Sequence, residues 1–161
     1  MARSGKSRWR RVWLALLLLI VGVPIGGVLL FAIVPPTPTI LMVQQAVRGE
    51  GLDYRWRGLN AISPHLVDAA IAAEDARFCA HRGFDMTAIE KALDHNADGG
   101  RLRGGSTISQ QTAKNVFLWP SRDWVRKGLE AGYTVLIETV WGKRRIMEVY
   151  LNVVEWAPGV Y

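Results

Sequence analysis

Residues 12 to 34, "VWLALLLLIVGVPIGGVLLFAIV", contain no charged side chain in 23 positions, and a helical alternation of apolar and polar residues follows further on. About 20 apolar residues suffice to cross the hydrocarbon core as a helix, so residues 12–34 read as a transmembrane anchor. Pro24 and the Gly26–Gly27 pair can kink such a helix without preventing insertion. "PPTPT" at 35–39 predicts a stiff extended linker; Ile40 to Val47 shows no decisive period, and "YRWRGL" at 54–59 fits a short strand or a loop. From residue 63 the pattern is helical. Ser63 as N-cap and Pro64 as first helical residue open a helix over 64–78, and a Thr87-x-x-Glu90 capping box opens one over 87–97, closed by Gly99–Gly100. A helix over 106–118 ends at Pro120; Asp123 caps another over 124–141 that closes at Gly142; and 143–153 carries Ile146, Val149, Tyr150 and Val153 on one side. With no internal repeat and no strong strand alternation, the fold class is mainly α.

Charge sharpens this division. The chain has 20 Lys and Arg against 14 Asp and Glu, but Arg3, Lys6, Arg8, Arg10 and Arg11 lie in the first 11 residues, leaving 15 against 14. The basic excess is therefore a tail and no nucleic-acid surface. Residues 1–11 form a cytoplasmic tail by the positive-inside rule, which puts everything beyond residue 34 outside the cytoplasm, the periplasmic face in a bacterium. A cleaved signal peptide is the rival reading, yet its apolar stretch is usually about 7–15 residues and no small-x-small cleavage site precedes Pro35. Cys79 has no second cysteine to pair with and reads as a small buried residue of the 64–78 helix.

Chemistry first shows at "IAAEDARFCAHRGFD", 71–85. Counting in threes and fours places Val67, Ile71, Glu74 and Phe78 on one stripe, with Asp75 about 100° round beside Asp68 and Ala72. A carboxylate among Val, Ile and Phe is partly stripped of water, which disfavours its charge and suits it to accept a proton. A surface Glu74 answering Arg77 is the plain alternative. In "RLRGGSTISQQTAKN", 101–115, a diglycine leads to hydroxyls at a helix start, where free backbone N–H groups attract anions, with Gln110, Gln111 and Lys114 close behind. That surface suits a phosphate or pyrophosphate, although an ordinary helix start capped by Ser106 or Thr107 explains it equally well. In "RDWVRKGLEAGY", Arg126 and Lys127 lie four and three residues before Glu130, the spacing of solvated helix ion pairs. "KRRIMEVYLN", 143–152, reads as an amphipathic packing helix.

Taken in order, "EDARFCAHRG", "GGSTISQQ", "RKGLE" and "IMEVYLN" resemble glycosyltransferase family 51, the peptidoglycan glycosyltransferases, whose patterns are E-D-x-x-F-x-x-H-x-G, G-G-S-T-I-T-Q-Q, R-K-x-x-E and I-x-E-x-Y-L-N. Ser109 for Thr is the one departure and keeps the hydroxyl. With one anchor and no penicillin-binding domain, the chain looks most like the monofunctional members. The resemblance covers residues 60–161, after a linker and lead-in at 35–59, and implies a lysozyme-like domain on the membrane that polymerises lipid II onto a growing glycan strand. By that analogy Glu74 is the general base and Glu130 the second essential carboxylate. Lys114 and Arg122 match ligands of the donor pyrophosphate, with Arg126 and Lys127 adding positive field. Ser106, Thr107, Gln110 and Gln111 match residues lining the cleft. Asp75, Phe78, His81, Gly83, Gly104, Gly105, Glu148, Tyr150 and Asn152 match structural motif positions, His81 as a satisfied buried imidazole. No cofactor is implied for the chemistry beyond a divalent cation, Mg or Mn, near Glu130. Partners implied are lipid II, the membrane and other cell-wall synthesis and division proteins.

Two other functions fit less of the sequence. A lysozyme-like hydrolase also uses two carboxylates but has no use for Lys114, Arg122 and Arg126. A non-catalytic scaffold of the wall-synthesis machinery needs none of them. The final "EWAPGVY" has no helix stop or polar tail, so the sequence reads as a piece of a longer domain whose fifth motif lies beyond it.

Overall fold

The computed structural model describes residues 4–36, 38–97, 99 and 104–161, in two compact units, one ending at Val34 and one running from Pro35 to Tyr161. The first unit is helical from Ser4 to Phe31: α1 (Ser4–Leu17), a π turn (Leu18–Gly22) and α2 (Val23–Phe31). Ser7–Phe31 gives 25 residues long and apolar enough to cross a membrane, and its Trp13, Leu17, Leu18 and Ile20 side chains are exposed, as a lipid-facing surface requires. Helix thus ends three residues before the expected limit of 34. The irregularity also falls earlier than expected, ahead of Pro24. Pro24 has no N–H, and its ring crowds the carbonyl four residues back; the chain widens there, with the Val23 N–H reaching back to the Leu18 carbonyl.

The second unit contains α3 (Ile40–Val47), a 3₁₀ turn (Leu59–Ala61), α4 (Pro64–Glu74), α5 (Met86–Ala97), α6 (Ile108–Phe117), α7 (Trp124–Val140) and α8 (Lys143–Val153). Among the described residues there is no strand, only the isolated bridges Asp53 to Val160 and Ala157 to Val160. Helix α6 is central, packing on α7, α8 and α3. Ile108, Ala113, Ile137, Ile146, Val149, Val153 and Met42 are fully buried around it, and each large apolar side chain so buried contributes about 1.5–3 kcal/mol.

Several boundaries differ from the apolar pattern for local reasons. Helix α4 stops at Glu74, because Asp75 turns out of the helix at φ −158°, ψ 74°, so Phe78 reaches the core from a turn and Cys79 is exposed rather than buried. Ser63 makes no side-chain cap. Helix α5 starts at Met86 and its first turn is capped by Asp85, whose Oδ1 accepts the Ala88 N–H at 3.0 Å, in place of the Thr87 capping box. Gly99 follows α5 at φ +76°; the rest of the expected closure, Gly100, lies outside the described residues, as do Arg101 to Arg103. Thr107 and Gln110 form a reciprocal capping box at the start of α6, and Asp123 caps α7 by accepting the Arg126 N–H at 2.8 Å.

Residues 35–59 pack within this unit. Thr39 caps α3, and Met42 is completely buried. "YRWRGL" is neither strand nor free loop: the Asn152 side chain accepts the Arg57 N–H at 2.7 Å and donates to the Arg57 carbonyl at 2.8 Å, while Glu148 Oε1 accepts the Leu59 N–H at 3.0 Å. Two polar positions of the fourth motif therefore fasten the lead-in segment to α8. Gly83, in the turn between α4 and α5, has φ +90°, and a Cβ there would lie 2.7 Å from Thr134 Cγ2 and 3.1 Å from Glu138 Cγ.

Asn152→Ala leaves both Arg57 backbone groups without partners and is expected to lower stability by about 2–4 kcal/mol in denaturant titration, with faster tryptic cleavage at Arg55 and Arg57. Gly83→Ala combines a left-handed backbone with a collision against α7, for an expected loss of about 2–4 kcal/mol; unchanged denaturation midpoints would contradict both assignments.

Candidate functional site

The site begins where α4 ends. Asp75, buried, points its carboxylate at the start of α6: Oδ2 accepts the Ile108 N–H at 3.0 Å, and both oxygens meet His81 Nε2 at 2.9 and 3.0 Å. A carboxylate at a helix N-terminus is favoured by the free N–H groups and the positive end of the dipole. The anion-attracting α6 start expected from "GGSTIS" is thus occupied by the protein's own Asp75. Thr107 completes the joint, since its hydroxyl donates to the Gly83 carbonyl at 2.6 Å and accepts the Gln110 N–H at 3.2 Å. Thr107 and Gln110 are buried cap residues; Thr107 still lines the cavity beside Glu74 with Ser106, whereas Gln110 does not. His81 is half satisfied: Nε2 pairs with Asp75, and Nδ1 is buried without a partner among the described residues.

Glu74, one residue earlier, is exposed at the last position of α4. The apolar stripe that would have stripped it of water ends with the helix, so Phe78 never comes to lie beside it. Its Oε2 accepts a hydrogen bond from Gln111 Nε2 at 2.8 Å. Around it lies a cavity of about 340 Å³ lined by Asp75, Arg77, Asp85, Lys91, Ser106 and Gly105, among others. Tyr150 on α8 is pushed up to about 12, by burial and then by the Glu74 charge.

One turn beyond Gln111, Lys114 lines a second cavity of about 420 Å³ together with Arg48, Asn115, Arg122 and Arg126. Lys114 and Arg122 have no ion pair among the described residues. Burial holds the Lys114 ammonium below the usual lysine range; Glu130 pulls it back most, Arg126 and Lys127 push it further down, and Glu74 opposes them. Glu74 and Lys114 thus line different cavities yet act on each other electrostatically, and α6 carries both Lys114 and the Glu74 tether, Gln111.

Glu130 sits 3% exposed between two cations: Arg126 donates to Oε2 at 2.7 Å and Lys127 to Oε1. These are not the solvated surface pairs that the spacing alone suggests. Withdrawing a carboxylate from water is costly, and both oxygens are already held. A divalent cation at Glu130 would share these oxygens with Arg126 and Lys127 or displace one of the two. Asp75, His81 and Asp85 also converge, but Asp75 and His81 hold each other, while Asp85 holds Arg77 at 3.4 Å and the Ala88 N–H.

The remaining motif residues are structural contacts. Ser109 donates to Glu138, which also pairs with Lys143 at 2.6 Å, and the Lys143 ammonium lies 4.4 Å over the Phe78 ring. Gly105 approaches Ile89 so closely that a Cβ would be 3.3 Å from its Cα; Gly104 meets nothing nearby. Arg48 and Asn115 are among the cavity residues that escape the sequence reading. Arg48 ends α3, whose periodicity is indistinct, and Asn115 donates to the Val153 carbonyl at 3.2 Å from a position next to the more obvious Lys114.

Residues 42–161 match the model of the family described as Transglycosylase. The chain is 58% identical over 161 residues to the biosynthetic peptidoglycan transglycosylase of Caulobacter vibrioides, covering 100% of this chain and 70% of the relative. It is 58% identical over 127 residues to that of Rhodospirillum centenum, covering 79% and 55%, and 54% identical over 166 residues to that of Bdellovibrio bacteriovorus, covering 97% and 66%. The chain therefore spans between 55% and 70% of the length of these relatives. A family model matched over residues 42–161, and relatives 54–58% identical over most of the chain, mean that the chain belongs to the Transglycosylase family.

Proposed function

We propose that the chain polymerises glycan strands from lipid II, transferring the growing strand to the 4-hydroxyl of the acceptor N-acetylglucosamine with inversion and release of undecaprenyl pyrophosphate. The observation that carries this is the cation cavity: Lys114, Arg122, Arg48 and Arg126 face one space, and Arg126 Nε is buried without a partner among the described residues. Such a group suits a departing diphosphate, whose charge grows in the transition state. A neutral sugar does not call for it. Glu74, exposed and one α6 turn away, is the proton acceptor: the acceptor hydroxyl gives up its proton as its oxygen bonds the anomeric carbon and the bond to pyrophosphate breaks. Glu130 holds Arg126 and Lys127 in place and supports the charge on Lys114. The N-terminal helix anchors the chain, with its basic end in the cytoplasm and the second unit outside, the inner membrane and periplasm in a Gram-negative cell. Other cell-wall synthesis and division proteins are the expected partners.

Glu74→Gln keeps the shape but removes the proton acceptor, and is expected to cut polymerisation of labelled lipid II at least about 100-fold; long strands formed at the normal rate would refute the role, and shortening of finished glycan would mark a hydrolase. Because Lys114 is held below the usual lysine range, its charge is lost as pH rises sooner than an ordinary lysine's. The basic limb of kcat/KM against pH is therefore expected to move upward in Lys114→Arg, and Lys114→Met to be slow at all pH values. Cys79, exposed and the only cysteine, reports topology: a membrane-impermeant maleimide is expected to label it in intact spheroplasts, and labelling only after permeabilisation reverses the orientation.

A further inference from the structure

We propose that Gln111 is a positioning residue for Glu74 and not a substrate contact; this rests on the reading of Glu74 as the proton acceptor. Glu74 is the last residue of α4, where a carboxylate meets the negative end of the helix dipole and an exposed side chain has its full rotamer freedom. Nothing on α4 holds it. The restraint comes from α6: Gln111 Nε2 donates to Glu74 Oε2 at 2.8 Å, while Oε1 has no partner among the described residues. Gln111 can act as a fixed point because the turn that bears it is locked, by the Thr107–Gln110 capping box and by Asp75 on the Ile108 N–H. Its own backbone N–H bonds the Thr107 carbonyl at 3.0 Å.

The amide thereby selects one oxygen for the chemistry. With Oε2 engaged, Oε1 takes the proton from the acceptor hydroxyl; the freed oxygen pair forms the bond to the anomeric carbon, and the pair of the breaking carbon–oxygen bond leaves with the pyrophosphate. The other charged or titratable groups around Glu74 are Lys114 on α6, Tyr150 on α8, and Asp75, Arg77, Asp85 and Lys91 around its cavity. Among the described residues none of these hydrogen-bonds its carboxylate, and the amide of Gln111 sets its direction.

Gln111→Met keeps the length and removes the donor. In the full chain in detergent, kcat for lipid II polymerisation is expected to fall about 10- to 100-fold, the effect of one lost hydrogen bond to a charged group, with KM changed by less than about threefold. In a Glu74→Gln background the same substitution should add nothing. The ¹³C carboxyl resonance of Glu74, assigned by its absence from Glu74→Gln, gives the same answer without turnover, with its chemical shift at fixed pH displaced in Gln111→Met by loss of the amide donor. A raised KM at unchanged kcat, or an unmoved resonance in a variant that melts like the parent, overturns the proposal. Full activity in Glu74→Gln alone instead overturns the reading of the base, a distinct result.

Discussion

The carboxylate of Asp75 lies against the first turn of α6, and the placement of Glu74 relative to Gln111 and Lys114 follows from that one contact. It joins the end of α4 to the start of α6 without any intervening apolar core, through a helix N-terminus that would otherwise need solvent or a ligand. Glu74 precedes it and is carried to α6; Gln111 and Lys114 follow along that helix at one-turn intervals. His81 and the Thr107-to-Gly83 bond close the same joint from the other side of the turn. The residue beside the expected base is thus a structural anion, and the two adjacent carboxylates of "ED" do different work because one is buried and the other exposed.

Much of this was readable from residue order. The bounds of α8 and the Asp123 cap of α7 agree with the apolar period and the capping rule, because both depend on neighbours within four residues. Where the reading overran, a distant partner had intervened. The stripe Val67, Ile71, Glu74, Phe78 is continuous on paper, yet Asp75 leaves the helix to reach Ile108, 33 residues away. The attraction of the α6 start for anions was correctly sensed, but periodicity could not show that the anion belongs to the chain itself. In the same way, the spacing of Arg126, Lys127 and Glu130 is that of a surface pair, and only packing of α7 against α6 makes it a buried one.

Residues 54–59 illustrate the other gap. Their composition favours neither strand nor helix, and their path is set by Asn152 and Glu148, about 90 positions later. The fourth motif, which reads as plain packing, owes its polar positions to this fastening. Arg48 reaches the cation cavity from the same poorly patterned region.

The cavity that gathers Arg48, Lys114, Arg122 and Arg126 has four cations and no carboxylate in its lining, and the nearby Glu130 is already shared between Arg126 and Lys127 while it supports the charge on Lys114. Like charges kept so near one another strain the fold that holds them, and a doubly charged visitor relieves the strain as well as forming its own pairs. An anion entering that cavity meets uncompensated positive charge, and a doubly charged one gains more from it than a singly charged one.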